Sequence, residues 1–108
     1  MTEAWSKYLS DILRAINLIQ ECSNDINTFE EFEVGLKTQS AIERQLAIIG
    51  EALNKFRKQE LEIQHGKQII GLRNRLIHAY YSIDDSILWM VLLKYLPELK
   101  KEVEEALL

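Results

Sequence analysis

Helix breakers are nearly absent from this chain. Its 108 residues include only 4 Gly and 1 Pro. Gly costs a helix interior about 1 kcal/mol and Pro about 3, so their scarcity leaves long stretches free to remain helical. Apolar residues recur at the spacings a helix requires. Trp5, Tyr8, Leu9, Ile12, Ala15, Ile16 and Ile19 lie three or four apart and predict a helix over about Glu3 to Glu21. The turn-forming stretch CSNDINTF ends it. Thr28 with Glu31 three residues on has the spacing of a capping box, which predicts a short helix through Val34 with Gly35 near its end.

A second long helix is predicted over about Lys37 to Gln59. Ile42, Leu46, Ile49, Leu53 and Phe56 form a heptad-like seam, and Ala41, Ile48 and Ala52 widen it. His65-Gly66 marks a loop, and a third helix covers about Lys67 to His78. Ser82 or Asp84 caps the next helix, whose apolar face is Ile87, Leu88, Val91, Leu92 and Tyr95. Pro97 is expected to interrupt that helix, with PELKKEVEEALL restarting or continuing it through a bend. Trp5, Tyr8 and Trp89 read as core, and Lys100-Lys101 as a solvated face. The pattern predicts an all-α antiparallel bundle of four or five helices, built as one domain over residues 1–108.

Several classes are disfavoured by the same reading. The longest apolar run, ILWMVLL, is far short of the roughly 20 residues that span a bilayer. Glu3 and Asp11 are out of place in a signal peptide. Cys22 is the single cysteine, so no internal disulfide forms and a reducing cytoplasm is the simplest compartment. Cys22, His65 and His78 have no zinc spacing, and the residues call for no metal or cofactor.

The formal net charge is −4, whereas nucleic-acid binders are usually basic. The distribution qualifies this. From Ile63 to Ile83 there is no Asp or Glu, while Lys67, Arg73 and Arg75 give +3; the rest of the chain is −7. A local anion site fits that distribution, and a broad DNA-binding face does not.

The acid-free window contains GLRNRLIHAYYSI. On a helical wheel advancing about 100° per residue, Ile69, Leu72, Leu76, Ile77 and Ala79 define an apolar arc. Arg73 and Tyr80 fall inside it, while Asn74 and His78 fall on the other side. A guanidinium in an apolar arc needs a carboxylate, carbonyls or a bound anion. Arg73 and His78 lie about 140° apart, so they do not converge on a straight helix. Either the helix loosens near His78 or a second subunit brings another copy alongside. Imidazole suits proton transfer near neutral pH, and Arg suits a phosphate through forked charge-assisted hydrogen bonds. Asn74 could orient either group. RNA carries its own 2′-hydroxyl nucleophile. On these residues alone, a satisfied core arginine and a structural histidine in a generic helical dimer explain the pattern more readily than a nuclease site does.

Arg73, His78 and Tyr80 form R-x4-H-x-Y, which resembles the signature of the HEPN superfamily, specifically its HepT-like toxins. YLSDILRAINLI, TFEEFE, RQLAIIGEALNKF, IIGLRNRLIHAYYSID and LPELKKEVEEALL resemble HepT segments in order, so the likeness covers nearly the whole chain. The resemblance implies a helical homodimer, or a larger assembly of dimers, with two motifs facing a shared cleft. It implies the toxin of a type VII-like toxin–antitoxin pair: a metal-independent ribonuclease cutting RNA, transfer RNA included. Arg73, Asn74 and His78 then carry the cleavage. The implied partner is an MntA-like nucleotidyltransferase antitoxin that transfers AMP to Tyr80, beside which Tyr81 offers a second phenol. Many such relatives carry a Trp shortly before IIGLRN, where this chain has IQHGKQ. The alternative is a non-catalytic helical module that binds a nucleotide or supports the nucleotidyltransferase.

Overall fold

The structure is a computed structural model that describes residues 3–57 and 84–108, with side chains described over 5–55 and 84–108. The described residues form helices and turns, with no strand among them. Helix α1 spans Glu3–Cys22, α2 spans Phe29–Val34 and α3 spans Leu36–Arg57. Helix α4 spans Asp85–Met90, a π-helical turn follows over Val91–Tyr95, and α5 spans Leu96–Leu107. The expected all-α architecture is observed, and the predicted helix bounds agree within a few residues where they are described. The predicted loop at His65-Gly66, the predicted helix from Lys67 to His78 and Ser82 lie outside the described residues, as does the Phe56 side chain.

The apolar stripe of α1 organises the core. Leu9, Ile12, Ile16 and Ile19 are fully buried, and α1 packs on both α3 and α5. The α3 seam meets it through Ile42, Leu46, Ile49 and Leu53, all buried. Each such side chain contributes roughly 1.5–3 kcal/mol by leaving water. Two cross-helix contacts set the directions. Lys55 near the end of α3 lies over the ring of Tyr8 near the start of α1, with Nζ 5.1 Å from the centroid. Lys100 in α5 donates to Gln20 Oε1 near the end of α1 at 3.0 Å. Both neighbours therefore run antiparallel to α1. Lys101 is exposed as expected, whereas Lys100 is half-buried and spent on Gln20. Trp5, Tyr8 and Trp89 are half-buried against the core, on its rim.

The joint between α1 and α3 is built from local hydrogen bonds. Ser23 Oγ donates to the Ile19 carbonyl at 2.8 Å, occupying one of the acceptors exposed at the end of α1. Thr28 is the N-cap of α2, its hydroxyl accepting from the Glu31 backbone N–H at 3.2 Å. Thr28 Oγ1 also lies 3.3 Å from Glu31 Oε1 and donates to it. Phe32 is buried and packs on Trp89 of α4 with centroids 5.2 Å apart, while Phe29 meets Trp89 edge-on at 6.4 Å. Gln39 was not foreseen. Its side-chain amide is buried and donates to the carbonyls of Phe32 at 2.7 Å and Glu33 at 3.2 Å, tying α3 back to the end of α2.

Pro97 does not break the last helix. It enters the first turn of α5, where a missing N–H is tolerated, directly after the π-helical turn. There the Leu96 N–H reaches back five residues to the Val91 carbonyl. The wider turn passes the chain into α5, and the buried face continues through Leu88, Val91, Leu96, Leu99 and Val103.

Gln39→Ala should lower stability by about 1–3 kcal/mol, since it removes the amide from buried carbonyls at the α2–α3 joint. Gly35→Ala should change it by less than about 1 kcal/mol. The Gly35 φ is −86°, and a Cβ there would meet its nearest atom, the Glu31 carbonyl oxygen, at an ordinary 3.4 Å. Denaturant unfolding of both variants checks the contrast.

Candidate functional site

Arg73, Asn74, His78 and Tyr80 lie outside the described residues, as do Lys67, Arg75 and Tyr81. The described structure fixes the helices on either side of them. The stretch that carries them leaves the end of α3 at Arg57 and returns at Asp84.

Asp84 caps α4. Its carboxylate accepts from the Ser86 backbone N–H at 2.8 Å and from the Ser86 hydroxyl at 2.6 Å. Those bonds favour the ionised form and hold the Asp84 pKa below its ordinary value, side-chain bond first. A carboxylate at the N-terminus of a helix also meets the positive end of the helix dipole. The cap thus anchors the chain four residues after Tyr80. Of the two cap candidates in the sequence, Asp84 is the one used.

A second acid was not foreseen. Glu43, half-buried on α3, has its pKa raised, chiefly by loss of solvent and secondly by the negative charge of Asp85 in the first turn of α4. These acids are 42 positions apart in the chain, so no local pattern links them. Only the fold brings the charge of Asp85 within range of Glu43. Among the described residues no three His, Cys, Asp or Glu side chains gather as a metal site. None of the described helices is long and apolar enough to cross a membrane.

Comparison with known proteins decides the family. The model of the "Ribonuclease HepT-like" family matches residues 12–106 and so spans the whole R-x4-H-x-Y motif. The chain belongs to this family. It is 38% identical over 109 residues to a Thermococcus cleftensis protein named "Probable ribonuclease HepT", covering 97% of each chain. It is 40% identical to a Methanocaldococcus jannaschii protein named a "putative RNase", covering 90% of this chain and 91% of that one. A Caldanaerobacter subterraneus protein of the same description is 38% identical, with coverage of 93% and 91%. No solved structure matches at the same stringency. The HepT-like resemblance read from the sequence is therefore correct, and the ribonuclease class agrees with the names these relatives carry. The family match adds no geometry for Arg73, Asn74, His78 or Tyr80.

Glu43 supplies a pH signature for the helix pair that frames the motif. A raised pKa means that folding disfavours the ionised form. The contribution of Glu43 is then most favourable below pH 4.5, its ordinary pKa, and is lost as pH rises through the raised value. Glu43→Gln should therefore raise the melting temperature at pH 7, with the gain vanishing below pH 4.5. Thermal melts of both proteins across that range test it.

Proposed function

We propose that this HepT-like chain is a toxin-type, metal-independent endoribonuclease acting in the cytoplasm as a homodimer. The observation that carries the reading is R-x4-H-x-Y at Arg73–Tyr80, inside an acid-free window and within the matched family segment. Arg73 binds the scissile phosphate and offsets the charge that builds on it in the transition state. His78 transfers the proton, and Asn74 orients the imidazole or the phosphate. Attack by the RNA 2′-oxygen on phosphorus breaks the bond to the 5′-oxygen. The 2′-hydroxyl proton goes to a neutral imidazole, and the departing 5′-oxygen takes a proton from an imidazolium. Each chain contributes one motif histidine, so pairing two chains supplies both protonation states to one cleft. It also answers the 140° separation of Arg73 and His78 on a single straight helix.

The control step in this reading is AMP transfer from ATP to the Tyr80 hydroxyl by an MntA-like nucleotidyltransferase antitoxin. The phenol oxygen attacks the α-phosphorus and pyrophosphate leaves. The added phosphate places negative charge and bulk beside the cleft, which repels RNA. A non-catalytic role as the nucleotidyltransferase's helical partner is favoured only by the net charge of −4.

Purified protein should cleave RNA in the presence of EDTA. Arg73→Ala and His78→Ala should each reduce cleavage by roughly 10²–10⁴-fold with an unchanged thermal melt. Cleavage by His78→Ala protein at the parent rate, with contaminating nuclease excluded, would overturn the catalytic assignment; a parent that binds the nucleotidyltransferase yet leaves RNA intact would favour the partner role. Incubation with ATP, Mg²⁺ and the neighbouring nucleotidyltransferase should add AMP at Tyr80, located by peptide mass spectrometry. Tyr80→Phe protein should lose that site and escape neutralisation; AMP found on Tyr81 alone would reassign the switch.

A further inference from the structure

Charge is unevenly placed on the antiparallel pair of α1 and α3. From Gln20 to Leu36 the chain has no Lys or Arg, while Glu21, Asp25, Glu30, Glu31 and Glu33 are all exposed. The opposite end, where α1 begins and α3 finishes, exposes Lys7 and Lys55. Helix α3 has 22 residues, so the two ends are separated by about 30 Å. The Debye length at physiological ionic strength is about 8 Å, so the distant acids do not cancel the field of the lysines. Closer acids limit it: Glu51 lies one turn before Lys55 and Asp11 one turn after Lys7, both exposed. The feature is two exposed lysines at one end and not a broad basic face.

Lys55 is also held. Its ammonium sits 5.1 Å from the centre of the Tyr8 ring, and Tyr8 is packed against the core. A ring fixed by packing keeps the long lysine side chain near one position through cation–π attraction. A side chain already confined loses less entropy when it meets a ligand. Lys55 also stands in the last turns of α3, from which the chain passes directly into the stretch carrying the motif.

We propose that Lys55, braced by Tyr8, and Lys7, the residue before Tyr8 in α1, contact phosphates of bound RNA, so that RNA approaches this end of the helix pair and avoids the acidic α2 end. The proposal rests on the ribonuclease reading and extends it to substrate binding. Both lysines lie outside the R-x4-H-x-Y motif, so they act on affinity, and their loss should raise KM while leaving kcat near the parent value.

The test uses full-length His78→Ala protein, which should bind without cutting, and a labelled mixed-sequence single-stranded RNA. Binding is followed by fluorescence anisotropy over about 50–200 mM salt. Each single-strand phosphate contact contributes about 0.7 to the slope of log affinity against log salt. Adding Lys55→Gln should weaken binding roughly threefold or more and reduce the slope by about 0.7; adding Lys7→Gln as well should reduce it by about 1.4. Lys37→Gln, an exposed lysine at the α2 end of α3, should change neither quantity. An unchanged slope with Lys55→Gln, or an equal loss with Lys37→Gln, overturns the inference. If the parent also cleaves RNA and His78→Ala does not, that result leaves the ribonuclease reading standing; a parent that neither binds nor cleaves RNA overturns both.

Discussion

The described fold depends on one shared apolar stripe. Leu9, Ile12, Ile16 and Ile19 of α1 are the surface against which both α3 and α5 pack. Neither neighbour could bury its own stripe as well without α1, because an amphipathic helix is stable only when its apolar face has a partner. Antiparallel packing on both sides then places the end of α3 beside the start of α1 and the start of α5 beside the end of α1. The stretch that carries the R-x4-H-x-Y motif leaves from the end of α3, which this stripe holds, and returns at the start of α4.

Polar details refine that arrangement. Gln39 joins α2 to α3 through two carbonyls at the end of α2, and Asp84 fixes the start of α4 by accepting two bonds from Ser86. Glu43 acts in the opposite sense. Its carboxylate is partly removed from water and also feels the negative charge of Asp85, so its ionised form carries a cost at neutral pH. The exit point of the motif segment is thus secured by one carboxylate and opposed by a pair of others.

The helices were legible because their causes are local. Three-and-four spacing gave α1 and the α3 seam, Thr28 with Glu31 gave the start of α2, and Asp84 gave the start of α4. Pro97 was read as an interruption because proline removes a helical hydrogen bond; the π-helical turn before it depends on how Val91 and Leu96 both reach the core, which spacing does not show. Lys100 was read as solvated because its partner, Gln20, is 80 positions away. The same limit applies to Gln39, whose role depends on where α2 ends, and to Glu43 with Asp85. The chemistry of R-x4-H-x-Y was legible as residue types, and the family match supports the ribonuclease class.

Charge links the fold to that chemistry. In a chain of net charge −4, acids more than a screening length away do not cancel the field of a base. Two separations occur here. One is in sequence, where the window from Ile63 to Ile83 has no acid around Arg73 and Arg75. The other is in space, where the antiparallel α1–α3 pair places Glu30, Glu31 and Glu33 at one end and Lys7 and Lys55 at the other, with Asp11 and Glu51 one turn from those lysines. The second follows from helix direction alone: reversing either helix would bring the acids of α2 alongside the lysines. The packing that buries the apolar stripe therefore also decides which end of the helix pair the acids of α2 occupy.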